Sequence, residues 1–391
     1  MEPLLKKYGA KLVNQGLCLP GAPILGGLDA DVLWNREGDE IPVLEEVIDG
    51  LNINSILFAR PAEPFFGILD ALAEHGSDPG GSIRPQDTET RTFLHDIPVV
   101  NEFTPGPIIA ALRRRKAVIV RGRGIVAFGI VSPEQAFITY SSVCFSTFVK
   151  LFTDFAAGPV PPGTSKTYGD IISASLPRYG EFMKSFTAGP LITGPFSGAE
   201  TAMEAMCEAG RLTVESRMVD SFFGNISCRL DRGILISQTG SSLDEMEGMI
   251  DLCPPDNSST AGITASSELT AHRGVYANTD RGTILHGHPK FSVIMSMLCG
   301  ERDCADRGMC HVRCDKRRMI RDVPVVPGEV GTGPTGLCNT LPPALTGRGA
   351  IVWGHGLFTT GKYDFTDAFR NLVDIEMACY EEYREIFSRA G

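Results

Sequence analysis

Residues 119–137 and 351–369 align without a gap, and seven of the nineteen positions are identical. The first copy runs Ile119-Val120-Arg121-Gly122-Arg123-Gly124 through Gly129 to Ala136-Phe137. The second runs Ile351-Val352-Trp353-Gly354-His355-Gly356 through Gly361 to Ala368-Phe369. Upstream, Asp96-Ile97-Pro98-Val99-Val100 matches Asp322-Val323-Pro324-Val325-Val326. A repeat of this kind constrains the fold more than any local pattern, because each half must bury its own copy of one core. Each copy reads as a β-rich apolar run, a Gly-rich turn and a long helix; over 365–387, Phe369, Leu372, Val373, Ile375 and Met377 fall at helical spacing. A chain of 391 residues has room for two such α/β halves. Gly and Pro concentrate at 157–164 and 188–198 and break regular structure there. The reading is therefore a first domain at 1–160, a linker with a bridging helix at 161–195, and a second domain at 196–391. Within 1–90, a strand at 54–59 leading to a helix at 65–73 suits an α/β unit, and no catalytic constellation accompanies it.

The copies differ where chemistry would sit. His355 of the second stands where the first has Arg123. A copy that exchanges a titratable ligand for a fixed cation cannot bind the same metal, so the first half reads as degenerate and the second as active. If the first half packs against the second as a partner would, Arg123 is a candidate pocket residue for an anionic substrate.

Thr283-Ile284-Leu285-His286-Gly287-His288-Pro289 reads as a strand running into a turn. Residues two apart on a strand share a face, so His286 and His288 present two imidazoles side by side, as metal ligands or as ordinary polar strand residues. His355, flanked by two glycines after an apolar run, supplies a third, and three histidines at strand ends satisfy an open catalytic zinc site. In 265–276, Ser266 or Ser267 is a good N-cap for a helix carrying Leu269, His272 and Tyr276. The serines and Glu268 read either as capping or as an anion site with an acid at its edge. His272 reads as a ligand or a packed helix residue. The turns around Gly224-Asn225 and Thr239-Gly240 offer further amides for an anion.

A net charge of −11 repels nucleic acid and anionic lipid, which makes both unfitting partners. No apolar run is read as reaching membrane length and no signal peptide is read at the start, so the expected address is cytoplasmic. Eleven cysteines, an odd number spread along the chain, argue for reduced thiols. Four cluster as C-x4-C-x5-C-x3-C: Cys299, Cys304, Cys310 and Cys314. They are candidate ligands for a second zinc or an iron–sulfur cluster, with His311 nearby; the alternative is unligated thiols in a redox-variable loop.

Gly224-Asn225-Ile226-Ser227, Thr239-Gly240, Ser266-Ser267-Glu268, His286-Gly287-His288-Pro289 and Gly354-His355-Gly356, in that order, resemble the class II aldolase and adducin family. The resemblance spans 196–391. It implies a three-layer α/β/α domain with a central, largely antiparallel sheet, which the repeat duplicates in the first half, and a homo-oligomer, dimer or tetramer. It also implies zinc or another divalent ion on His286, His288 and His355, Glu268 as acid/base, and Asn225, Thr239, Gly240, Ser266 and Ser267 around a substrate phosphate. The implied activity is carbon–carbon bond cleavage in a small phosphorylated hydroxy-ketone, where the metal stabilises enediolate charge. Decarboxylation, epimerisation or dehydration with the same metal kit, and a non-catalytic adducin-like scaffold, are the alternatives. One departure stands out: the stretch 325–332, where the aldolases it resembles carry a catalytic tyrosine, has none, and Glu329 is the candidate replacement.

Overall fold

The structure, a computed structural model, describes all residues except 76–80, 159, 161, 162, 221, 302, 330 and 391, and at 390 the main chain alone. It forms two compact units, Met1–Arg178 and Tyr179–Gly391, and the boundary falls inside the helix Thr164–Ser185.

The first unit contains strands β1 (Ile24–Leu28), β2 (Val32–Trp34), β3 (Ser55–Ala59), β4 (Ser82–Ile83), β5 (Ile97–Val100), β6 (Ala117–Val120) and β7 (Gly124–Gly129). They form one sheet in the order β2-β1-β3-β7-β6-β5-β4. The second contains β8 (Asn225–Leu230), β9 (Gly233–Ser237), β10 (Ile250–Cys253), β11 (Thr283–Gly287), β12 (Arg318–Ile320), β13 (Val323–Val326), β14 (Gly349–Val352) and β15 (Gly356–Gly361). Their order is β10-β9-β8-β11-β15-β14-β13-β12. Strand for strand the second sheet repeats the first with β10 added at one edge. Each sheet is antiparallel except at one pair, β5 with β6 and β13 with β14.

Register confirms the duplication residue by residue. Ser55 faces Gly129 and Ala59 faces Ile125, as Thr283 faces Gly361 and Gly287 faces Leu357. Helices cover both faces of the second sheet. On one face Leu269, Val275, Leu337, Leu341 and Leu345 close over Ile236, Ile284, Val352 and Phe358. On the other, Phe365–Ala390 lies along β11 and β15 and packs on the helix Lys290–Met297. These three layers are the α/β/α arrangement expected.

One expectation is corrected. The helix Pro133–Ala157 is long and apolar enough to cross a membrane, yet 89% of its most apolar stretch is buried inside the protein. It is the core helix of the first unit. Its hydroxyls look polar in sequence, but Thr139, Ser142 and Thr147 donate to carbonyls one turn back, at 2.9, 2.7 and 2.7 Å, and so pack as apolar groups.

Glu376, fully buried on the long C-terminal helix, ties two helices together. Its carboxylate accepts from the backbone N–H groups of Phe291 and Ser292 at 2.8 and 2.7 Å, from Ser292 Oγ at 2.7 Å and from Tyr179 OH at 2.6 Å. The N–H groups are orphan donors in the first turn of Lys290–Met297, which an anion satisfies and whose helix dipole it complements. Replacing Glu376 by Ala strands these donors and is expected to destabilise the second unit by about 2–4 kcal/mol. Glu385→Ala, on the exposed side of the same helix, should change stability by less than about 0.5 kcal/mol; urea unfolding of the two variants checks the contrast.

Candidate metal centre

β11 ends at Gly287, and β14 and β15 are joined by the turn Trp353-Gly354-His355. Gly354 adopts φ 59°, the left-handed conformation glycine tolerates best, and its N–H donates to Ser296 Oγ at 2.8 Å. The antiparallel pairing of β11 with β15 brings this turn against the His286-Gly287-His288 segment. A Cβ on Gly356 would lie 2.5 Å from Gly287 O, 2.6 Å from His286 Cε1 and 2.9 Å from His288 Cδ2, so only glycine leaves room for both rings.

His286, His288 and His355 each offer a nitrogen within 4.8 Å of the others, and all are buried, with exposures of 1%, 3% and 4%. His286 Nδ1 donates to the Leu357 carbonyl at 3.1 Å, which leaves Nε2 with its lone pair inward. The Nε2 atoms of His286 and His288 are 3.0 Å apart. Two nitrogens bound tetrahedrally to zinc at about 2.0–2.1 Å are separated by about 3.4 Å, so the residues fit a divalent ion. The His286 ring stacks on Phe358, with centroids 3.8 Å apart, and lies parallel to His355. Burial pushes the His286 imidazole down to about 3, against the pull of the Glu268 carboxylate beside it.

Glu268, 5% exposed, accepts from Asn225 Nδ2 at 2.6 Å and lies 3.1 Å from His355 Nε2. Burial opposes its ionised form, but the imidazoles of His286 and His355 and the Asn225 amide outweigh that and hold it below the usual carboxylate range. It occupies the N-cap position of the helix Leu269–Asn278 but makes no side-chain cap. The capping expected of Ser266 or Ser267 is thus displaced: Ser266 Oγ accepts from Glu268 N at 3.3 Å, and Ser267 is exposed. Asn225 spends its amide N on Glu268, and its Oδ1 has no partner among the described residues. Thr239 Oγ1 donates to Ala265 O at 3.0 Å and Ser266 N to Ser237 O at 3.0 Å, so Thr239, Gly240, Ser266 and Ser267 share one pair of adjoining loops leading into Glu268.

His272 is packed and not part of the metal group. Its Nδ1 lies 2.7 Å from Ser227 Oγ, which in turn lies 2.7 Å from Tyr276 OH, and burial pushes the imidazole down to about 4. Glu329 is exposed, accepts from Thr335 Oγ1 at 2.7 Å and makes no contact with the three histidines among those described. No three of the four insertion thiols come as close together as the three imidazole nitrogens do, among the described residues; Cys299 is exposed and the other three are half-buried.

Four residues that the sequence does not single out hold this centre. Lys290, next to His288-Pro289, is buried and paired with buried Asp220 at 2.5 Å. Ser296 anchors Gly354, and Glu376 fixes the helix that follows His288. Only Glu376 leaves a local signal, a carboxylate interrupting the apolar stripe of Leu372, Cys379 and Tyr383.

The first unit keeps the frame and loses the ligands. By strand register Phe58 and Ile24 stand at the places of His286 and Asn225. Continuing the same register puts Arg60 at the place of His288, and the repeat puts Arg123 at that of His355. Glu40, N-cap of Ile41–Gly50, matches Glu268, and Arg123 pairs with it at 3.4 Å where His355 meets Glu268 at 3.1 Å.

The profile of the class II aldolase and adducin N-terminal domain matches residues 204–383. A methylthioribulose-1-phosphate dehydratase of Gluconacetobacter diazotrophicus is 34% identical over 206 residues, 50% of this chain and 98% of the relative. This chain belongs to the class II aldolase and adducin family. A second relative of that name, from Bradyrhizobium, is 27% identical over 45% of this chain and 88% of its own length. Among solved structures, the l-fuculose-1-phosphate aldolase of Thermus thermophilus is similar at 21% identity, covering 47% of this chain and 94% of that one, with a TM-score of 0.38. For this family member, Gly356→Ala should weaken divalent-metal affinity by about 10–100-fold. His355→Ala should remove one metal equivalent per chain and Arg123→Ala none; metal analysis after dialysis distinguishes the three.

Proposed function

We propose that the second unit is a divalent-metal-dependent lyase that removes water from a small phosphorylated keto-sugar. The observation that carries this reading is the placement of Glu268: a buried carboxylate kept ionised, 3.1 Å from a histidine of the metal group and aligned by Asn225. The two dehydratase relatives support the choice of reaction. So does the lack of a tyrosine at 325–332, which disfavours the retro-aldol cleavage that the family resemblance first suggests. Metal-dependent carbon–carbon cleavage remains the second reading.

A divalent ion on His286, His288 and His355 would supply Lewis-acid charge beside the substrate carbonyl. Glu268 takes the proton from the carbon adjoining that carbonyl. The freed electron pair forms a carbon–carbon double bond as the hydroxyl on the next carbon leaves and, with one proton, becomes water. Because the deprotonated carbon carries a hydroxyl of its own, the product is an enol, which becomes a second ketone by losing that O–H proton and gaining one on carbon. Asn225 Nδ2 keeps the carboxylate turned toward the histidines through the cycle, and the buried setting limits exchange of its proton with solvent. The loops of Thr239, Gly240, Ser266 and Ser267 offer hydroxyls and backbone amides for the phosphate.

With ketose 1-phosphates and metal-loaded protein, mass spectrometry should show a product lighter by one water. Two smaller carbonyl fragments would instead establish the aldolase reading, and no turnover across the panel would sink both. Glu268→Gln should lower kcat by about 10²–10⁴-fold while metal content stays unchanged.

A further inference from the structure

The insertion between the helix Lys290–Met297 and β12 is the part of the second unit that the proposed chemistry leaves unused. No described residue from 299 to 317 is buried, so hydrophobic burial does not hold this segment in shape. Its one large apolar side chain, Met309, is 45% exposed, while Cys304, Cys310 and Cys314 are drawn partly inward together with Asp306, His311 and Val312. That inverts the usual order, in which methionine goes in before a polar turn does. The three cysteines line one surface cavity of about 240 Å³, together with Asp303, Asp306, Asp315, Arg313 and Lys316. Cys299 and Cys304 both lie close enough to the Lys316 ammonium to interact with its charge. Tight turns shape the loop between them: Arg307 N donates to Cys304 O at 3.1 Å, Met309 N to Asp306 O at 2.9 Å and Arg313 N to Met309 O at 3.0 Å.

We propose that Cys299, Cys304, Cys310 and Cys314 form a structural zinc site, separate from the three-histidine centre. Thiols around one cavity, on a segment without a core, are the ligand set that zinc draws together, since binding free energy then serves as folding free energy. On binding, the four thiols release their protons to solvent and form four Zn–S bonds. Four thiolates around one Zn²⁺ leave a net charge of −2, and Arg313 and Lys316, paired with Asp306 and Glu301, are the cations nearest to it on the cavity wall. The loop is anchored at its far side, where Gly328 N donates to His311 O at 3.0 Å and the His311 ring packs 6.0 Å from Trp353, two residues before His355. Zinc would therefore stiffen the rim of the catalytic centre without contributing a ligand to it.

The test uses the full-length protein, reduced and stripped of metal, then titrated with Co²⁺ and separately with Zn²⁺. The intact protein should develop a thiolate-to-cobalt charge-transfer band and take up one more zinc per chain than Cys310→Ser/Cys314→Ser, which should show no band. His286→Ala/His288→Ala should keep the band, which separates this site from the proposed active centre. In the intact protein, added zinc should slow tryptic cleavage after Arg307 and Arg313 at least tenfold and shield the four thiols from Ellman's reagent. A wild-type protein with no charge-transfer band, a band that survives the double serine change, or iron in place of zinc after purification would each overturn the proposal.

Discussion

A carboxylate buried as deeply as that of Glu268 is costly to ionise, and the second unit is arranged around compensating that cost. The compensation comes from three places far apart in the chain: the Asn225 amide on β8, the His286 ring on β11 and the His355 ring in the turn before β15. The pairing of β8 with β11 and of β11 with β15 brings all three to one point. A one-residue slip in either pairing would turn His286 to the opposite face of the sheet and leave Glu268 with a partner missing. Strand register is thus the condition for the charge, and the charge is what makes the histidine cluster more than a polar patch.

That register is protected from behind. Glu376 bonds to the first turn of Lys290–Met297, Ser296 of that helix holds Gly354, and Asp220 neutralises Lys290. These contacts touch no reacting atom, but each fixes the main chain close to a histidine. Preorganisation of this kind lets a site hold ligands near metal geometry before any ion arrives.

What was legible in the sequence follows from the range of the forces involved. The histidine spacings are short-range signals, because strand geometry alone places residues two apart on one face, and the repeat exposed the β14–turn–β15 unit in both halves. The duplicated topology needed only that repeat and the apolar runs around it. By contrast, the bonds of Glu376 to Phe291, Lys290 to Asp220 and Gly354 to Ser296 join residues separated by 85, 70 and 58 positions, and no local pattern announces them. The Ser266–Ser267 cap was misplaced because Glu268 is pulled toward the imidazoles and the helix starts one residue after it. Pro133–Ala157 does not read as a membrane-length helix because its serines and threonines are polar as letters, whereas in the fold they satisfy themselves on their own backbone.

The two units show separately what the centre costs. At the places of His286 and Asn225 the first unit carries Phe58 and Ile24, both within its apolar core. There the sheet gains burial of hydrocarbon where the second unit must satisfy an imidazole and an amide. Arg123 meets Glu40 at the surface, 51% exposed, so that ion pair contributes little to stability. The surviving glutamate matters for another reason. Glu40 stands at the same N-cap as Glu268 and also leaves its helix uncapped, so the geometry that aims this carboxylate across the sheet belongs to the fold itself. Chemistry then depends on what it is aimed at: an arginine closes the position as a salt bridge, whereas a histidine, neutral and carrying a lone pair, leaves room for a cation.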